Sequence, residues 1–340
     1  MTMPRQDPAT IHRLDGLEPD NLLAFLALLG LLRAVEAADR ARETTDRLHP
    51  RASWSLDEPP LRPRLHLARP FTPEEVAGEA ARGIDLLTEA HDFGKQKDLN
   101  YTRREARDLL EQAADAGADR ATLLAALMTD AAIKDEDKPD TAAIDPTPLC
   151  LLFGQGHQHF LERLARVPTE PAPPPRGRGK KAVTLSAADC LAEALFAPWH
   201  RDDPTSSFRW DPEEDVRYAL MAGNPTDPAY KLGTQHGANR LAAVGLTALT
   251  LTPETRAGRV RPTLPGGAWN KDGFSFAWPA WHDPASLSAI RSLLGHPKLR
   301  EPGGLSHLGV EHAFAARRIS VGKFMNFTRG QPIEAPDTPS

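Results

Sequence analysis

Cysteine is nearly absent from this chain: 340 residues contain two, Cys150 and Cys190, far apart in sequence. A pair so placed gives neither a disulfide framework nor the ligand quartet of a structural zinc site. Two thiols among apolar neighbours fit a reducing compartment, and a cytoplasmic protein is expected. Aromatic residues are also scarce, at 6%. Long apolar runs are missing: the longest, Leu22–Leu32, holds eleven residues, whereas a membrane span needs about twenty. It reads as a buried helix, and no membrane partner is expected. No basic stretch followed by an apolar one opens the chain, so no signal peptide is expected. No glycine loop carries the lysine of a phosphate cradle. Neither cysteine has a His–Asp partnership nearby in sequence that would make it a nucleophile. The expectation from these absences is a protein that is not an enzyme, with no metal and no cofactor.

Charge is near balance overall, −5 with an isoelectric point near 6.2, but it is unevenly spread. Between Glu254 and Gly330 eleven basic residues stand against five acidic ones, a local charge of +6. An acidic protein with such a segment can present a polyanion surface.

The hydrophobic periodicity and the punctuation of Pro and Gly predict an α+β chain, helix-rich in its N-terminal part and mixed α/β with short strands in its C-terminal part. Helices are expected over 20–42, 73–91, 102–116, 119–133, 157–166, 186–196 and 238–245. Extended segments are expected over 49–71 and 310–328. The run Val167–Lys181 alternates prolines, glycines and basic residues, and predicts a tether. The expected division is an N-terminal domain over 1–166, a linker over 167–182, a second domain over 183–330 and a disordered tail over 331–340.

Two polar blocks stand out. Ser207–Phe208–Arg209–Trp210–Asp211–Pro212 predicts a short strand with Phe208 and Trp210 facing one way. A helix then follows, with Asp211 as its cap and Pro212 in its first turn. Gly233–Thr234–Gln235–His236–Gly237–Ala238–Asn239–Arg240 offers amides and a guanidinium beside glycines that permit close backbone approach. Such groups can read a base edge or hold a phosphate, which makes Arg209, Gln235, His236, Asn239 and Arg240 candidate nucleic-acid contacts. Lys95, Lys97, Arg103 and Arg107 around Tyr101 form a second cationic group, with Arg103 and Arg107 on one helical face. Arg317, Arg318, Lys323 and Arg329 form a third, along the last predicted strand.

These motifs have a family look. Leu14–Arg33 near the start, Phe208–Pro212 with Arg217–Tyr218–Ala219, and His236–Ala242 followed by Phe276–Pro279 and Trp281 resemble the large-subunit family of type I-G (earlier I-U) CRISPR interference systems. The likeness runs from Leu14 to about Arg329. It implies a non-catalytic subunit of a crRNA-guided surveillance complex in antiviral defence. Its partners would be target double-stranded DNA, the crRNA, backbone and guide-processing subunits, and a helicase-nuclease. In such complexes guide pairing supplies most sequence discrimination, while protein groups read a short flanking motif and hold backbone.

Two other readings remain open at this level. His91–Asp92 matches the central dipeptide of metal-dependent phosphohydrolases, with His66, Asp108 or Asp130 as further ligands. The alternative to both is a purely structural subunit touching only protein and guide RNA.

Overall fold

A computed structural model describes residues 7–139, 141–153, 159–177, 179, 182–214, 233–321 and 324–334. It is α+β, and its organising element is the apolar run near the start. α1 (Leu22–Arg40) begins at Asn21, whose side chain accepts the Ala24 N–H. Within it only Arg33, Glu36 and Arg40 escape burial, the pattern of a helix enclosed by the fold rather than lying on it.

What surrounds α1 explains its composition. α2 (Pro73–Leu87) starts in a reciprocal cap between Thr72 and Glu75, and crosses α1 where Gly83 lies against Ala34. A second helix against α1, α7 (His236–Gly245), approaches as closely. A Cβ on Gly30 would stand 1.8 Å from the Leu241 carbonyl oxygen, and one on Gly245 2.3 Å from that of Leu26. On another side Phe25 meets the rings of Phe276 at 6.2 Å and Trp278 at 5.7 Å.

Among the described residues four further helices belong to the first half and the middle. α3 (Arg103–Ala116) and α6 (Ala187–Phe196) each begin in a capping box, at Thr102–Glu105 and Ser186–Asp189. α4 (Ala118–Leu127) stops well short of the predicted residue 133, because Met128 turns extended and Ile133 bridges Ile144 instead. α5 (Phe160–Thr169) carries the chain into the proline-rich stretch. α8 (Leu287–Leu294) lies between strands later in the chain.

The described strands form three antiparallel groups. β1 (Ala9–Arg13), β2 (Arg51–Trp54) and β3 (Pro63–Phe71) make a sheet ordered β1-β3-β2. β4 (Thr252–Arg256) and β5 (Arg259–Thr263) make a separate hairpin. The main sheet is ordered β10-β8-β7-β6, from β6 (Gly267–Asn270), β7 (Gly273–Trp281), β8 (Val310–Val321) and β10 (Gln331–Pro332), with β9 (Phe324–Phe327) returning along β8. β7 is buried along almost its whole length, which suits a central strand covered by α1.

Three expectations are corrected. First, the stretch predicted as a tether is held at both ends. Val167 and Pro168 continue α5 and are buried. Farther on, Arg176 exchanges backbone hydrogen bonds with Val183 and its guanidinium bridges Glu193 and Asp203. Buried apolar residues from before and after the stretch, Leu164, Leu241 and Phe276 among them, belong to one core cluster. Second, the first residues of the predicted tail are part of the sheet: Gln331 and Pro332 pair with Ala315 and Phe314 of β8, while 335–340 lie outside the described residues. Third, Phe208–Trp210 is not a strand. Arg209 takes a left-handed φ of +64°. The two rings still share a side, stacked 4.4 Å apart, because that turn at Arg209 brings them together.

Candidate nucleic-acid interface

The two polar blocks meet inside the protein, at the start of α7. Asp211 accepts from Asn21 Nδ2 at 2.9 Å and from Arg201 Nε at 2.7 Å. Asp203 accepts the His236 backbone N–H at 3.1 Å, and the same carboxylate receives Arg176. Asn239 donates to Thr234 Oγ1 at 2.8 Å and accepts the Phe208 N–H. His236 Nε2 contacts the Glu170 carbonyl at 2.8 Å, and burial lowers the ring's pKa. Arg240, 0% exposed, donates to the carbonyls of Pro168 and Pro171. Gln235 and Arg209 are buried as well. These five candidate contacts therefore lie in the interior, where His236, Asn239 and Arg240 tie loops to helices. This corrects the reading of Arg209, Gln235, His236, Asn239 and Arg240 as ligand contacts.

The second cationic group is on the surface but mostly engaged. Lys97 pairs with Glu162 at 3.2 Å and Arg107 with Asp130 at 2.8 Å, while Arg103 Nε donates to the Asp130 carbonyl. Lys95 is exposed, with no carboxylate partner among the described residues. In the third group Arg329 is spoken for by Glu18, Asp20 and Glu213. Arg318 lies half-buried, its guanidinium over Trp269 at 5.0 Å and its Nη1 on the Pro148 carbonyl. Arg317 projects to solvent from β8. Lys323 lies outside the described residues.

The readiest polyanion surface is one that motif reading missed. The β4–β5 hairpin turns at Ala257–Gly258, both with positive φ, +49° and +79°, as the tightest two-residue hairpin turn requires. That turn sets Arg256 directly opposite Arg259. Like charges facing each other across an antiparallel pair are destabilising, so the tip is built against its own electrostatics. Behind the tip Glu254 faces Arg261 and the Val260 N–H reaches Glu136, while at the tip Arg259 has Asp145 at 3.9 Å and the Lys134 carbonyl at 3.3 Å. Arg256 is exposed with no carboxylate partner among the described residues. Below the tip, Arg261 lies 4.7 Å from the Trp269 ring centre, sharing that ring with Arg318. Two facing guanidiniums can take a phosphate between them through charge-assisted hydrogen bonds. The signal was present in the sequence as Arg-Ala-Gly-Arg, but alanine is an unusual residue for a left-handed turn position.

The metal reading fares differently. His91 is buried, its Nδ1 lies 3.0 Å from the Leu164 carbonyl, and burial pushes its pKa down to about 4. Asp92 is exposed and accepts the Gly94 N–H. Among the described residues no group of three potential ligands includes this dipeptide. Among the described residues the one His/Cys/Asp/Glu group compact enough for an ion is His200, Asp202 and Asp203, and there Asp203 is already held by Arg176 and the His236 amide. Both thiols are pushed up to about 12 by burial, far from a nucleophilic thiolate at neutral pH.

Among the described residues no helix is long and apolar enough to cross a membrane. Compared with known families and with curated proteins, the chain matches no family model and no curated protein.

Proposed function

We propose that this chain is a nucleic-acid-holding subunit of a crRNA-guided, type I CRISPR interference complex in antiviral defence, and that it grips backbone phosphate through the β4–β5 hairpin. Two things support the reading. The first is the likeness of the Leu14–Arg33, Phe208–Pro212 and His236–Ala242 motifs to that large-subunit family. The second, and the observation that carries the polyanion part, is that Arg256, with no carboxylate partner among the described residues, faces Arg259 across the hairpin tip, where Asp145 at 3.9 Å is the acid set against the pair. Stability alone gives no reason to place them there. Recognition of a flanking duplex motif and recruitment of a helicase-nuclease belong to the same proposal. Any base-edge contact must then come from residues other than the buried Gln235, Asn239 and Arg240.

The test has two arms. Co-expression with genes for backbone and guide-processing subunits plus a guide should give a particle containing this chain. A particle that assembles to the same composition without it overturns the complex assignment. Separately, labelled duplex should bind with an affinity that falls with salt, each phosphate contact adding about 0.9 to the log–log slope. Salt-independent or undetectable binding by both the particle and the free chain overturns the polyanion assignment.

A further inference from the structure

Beneath the hairpin lies a cavity of about 370 Å³, within the size range of small-molecule sites. Its wall joins the β5–β6 turn at Pro265–Gly266–Gly267 to the end of α8 and the short helical turn that follows. We propose that this cavity binds a phosphate monoester carried on a small apolar body. The proposal is independent of the hairpin's role.

Arg300 is the first reason. Its guanidinium sits in the cavity wall, fixed by the Gly266 carbonyl at 2.6 Å, the Ser275 carbonyl at 2.9 Å and Ser275 Oγ at 3.1 Å. All three are neutral acceptors. They set its orientation and leave its charge uncancelled, and no carboxylate among the described residues pairs with it. Burial accordingly lowers its pKa, with no acidic group acting in the other direction. A guanidinium has five N–H donors, and these contacts engage three, so two remain for a ligand.

The second reason is the company Arg300 keeps. His296 Nδ1 accepts the Lys298 backbone N–H at 3.2 Å, so the neutral ring carries its proton on Nε2 and can donate. Thr252 brings a hydroxyl to the same wall. Together with the two guanidinium N–H groups this makes four donors and no acid, a set richer than the two oxygens of a carboxylate need and suited to the three terminal oxygens of a phosphate. Leu264, Leu294 and Leu299 complete the wall and would cover the ester's organic part. Gly266 is fitted to this arrangement: its φ is +82° and a Cβ would lie 2.4 Å from the Ala277 carbonyl oxygen. Only glycine lets its own carbonyl orient Arg300 there.

Calorimetry on the full chain tests the proposal with phenyl phosphate, phenol, benzoate and thymidine 5′-monophosphate. Phenyl phosphate should bind at least tenfold more tightly than phenol or benzoate. Tight binding of phenyl phosphate with weak binding of the nucleotide would assign the site to a small free ester, and tight binding of both would admit a nucleic-acid end; each supports the site. Arg300→Gln should weaken the phosphate ligand at least tenfold. That variant also loosens the turn, so Ala268→Trp, which keeps Arg300 and fills the cavity, should abolish binding with the melting temperature retained. Hydrogen exchange should slow over 264–268 and 294–300 when ligand is present. Equal affinity for phenyl phosphate and benzoate, or undiminished binding by Ala268→Trp, overturns the proposal.

Discussion

Asn21 Nδ2 donates to Asp211 Oδ1 at 2.9 Å across 190 residues of chain. The same asparagine caps α1 through its Oδ1, and the same aspartate receives Arg201 on its other oxygen. One buried contact thus ties the entry of the central helix to the aromatic block. Replacing Asp211 by Ala strips partners from Asn21 and Arg201 together. Removing one member of a buried charged pair typically costs about 3–5 kcal/mol. Asn21→Ala, losing a cap and one further bond, should cost about 2 kcal/mol. Urea unfolding of both single variants and the double variant checks this. The double should cost less than the sum of the singles if the contact is shared; strict additivity would mean the two residues act separately.

How much of this was legible beforehand follows from range. The helices expected over 73–91, 102–116 and 186–196 were readable because the signals that start a helix are local, as the caps at Thr72, Thr102 and Ser186 show. α1 was readable because an apolar run of that length has one compact fate. The partners of Arg240 were not, since Pro168 and Pro171 lie about seventy residues upstream. The reason they pair is nonetheless simple. A proline-rich segment lacks N–H donors of its own, leaving carbonyls that a buried guanidinium can satisfy. The block that looked like a ligand site and the stretch that looked like a tether were halves of one interaction. The hairpin was missed for the opposite reason: its charges were counted, but only the register Arg256↔Arg259 gives them meaning.

Helix crossings give a paired prediction. Gly30→Ala would push a methyl into the Leu241 backbone, and the backbone cannot step aside as a side chain would. The gain in helix propensity, about 1 kcal/mol, is outweighed, and the variant should be less stable by about 2 kcal/mol or more. Gly78 in α2 has nothing within 4 Å of its ideal Cβ, so Gly78→Ala should keep most of the propensity gain. Chemical denaturation should shift the two midpoints in opposite directions.

Glu214 should make stability fall with pH. Burial, aided by the neighbouring Asp211, raises its carboxyl from 4.5 to about 8, against the pull of Ser207, Thr234 and Arg163. Its Oε2 is buried with no hydrogen-bond partner. Between those two values the folded protein holds a proton that the unfolded chain has released. Stability contributed by this group is thus full below about pH 4.5 and is lost as pH rises towards 8. Each pH unit is worth about 1.4 kcal/mol at most. Glu214→Gln should be more stable than the parent at pH 8 and flatten the profile between pH 5 and 8. An unchanged profile would place the titration elsewhere.

Arg240 and the hairpin arginines separate the interior from the interface. Arg240→Ala leaves the Pro168 and Pro171 carbonyls without their donor and empties a site that is 0% exposed, so unfolding should become easier by about 2–4 kcal/mol. The salt slope of duplex binding, measured on folded protein, should stay as it was. Arg256→Glu with Arg259→Glu relieves one repulsion and replaces it with another, and it also removes Arg259 from Asp145 and the Lys134 carbonyl, so stability should fall by about 1 kcal/mol. Its effect on the slope should be a loss of about 1–2, one or two phosphate contacts, with affinity at low salt down by tenfold or more. Were Arg240→Ala to flatten the slope while the hairpin double variant left it intact, the grip on phosphate would run through α7, and the buried bonds at its start would have to open when nucleic acid arrives.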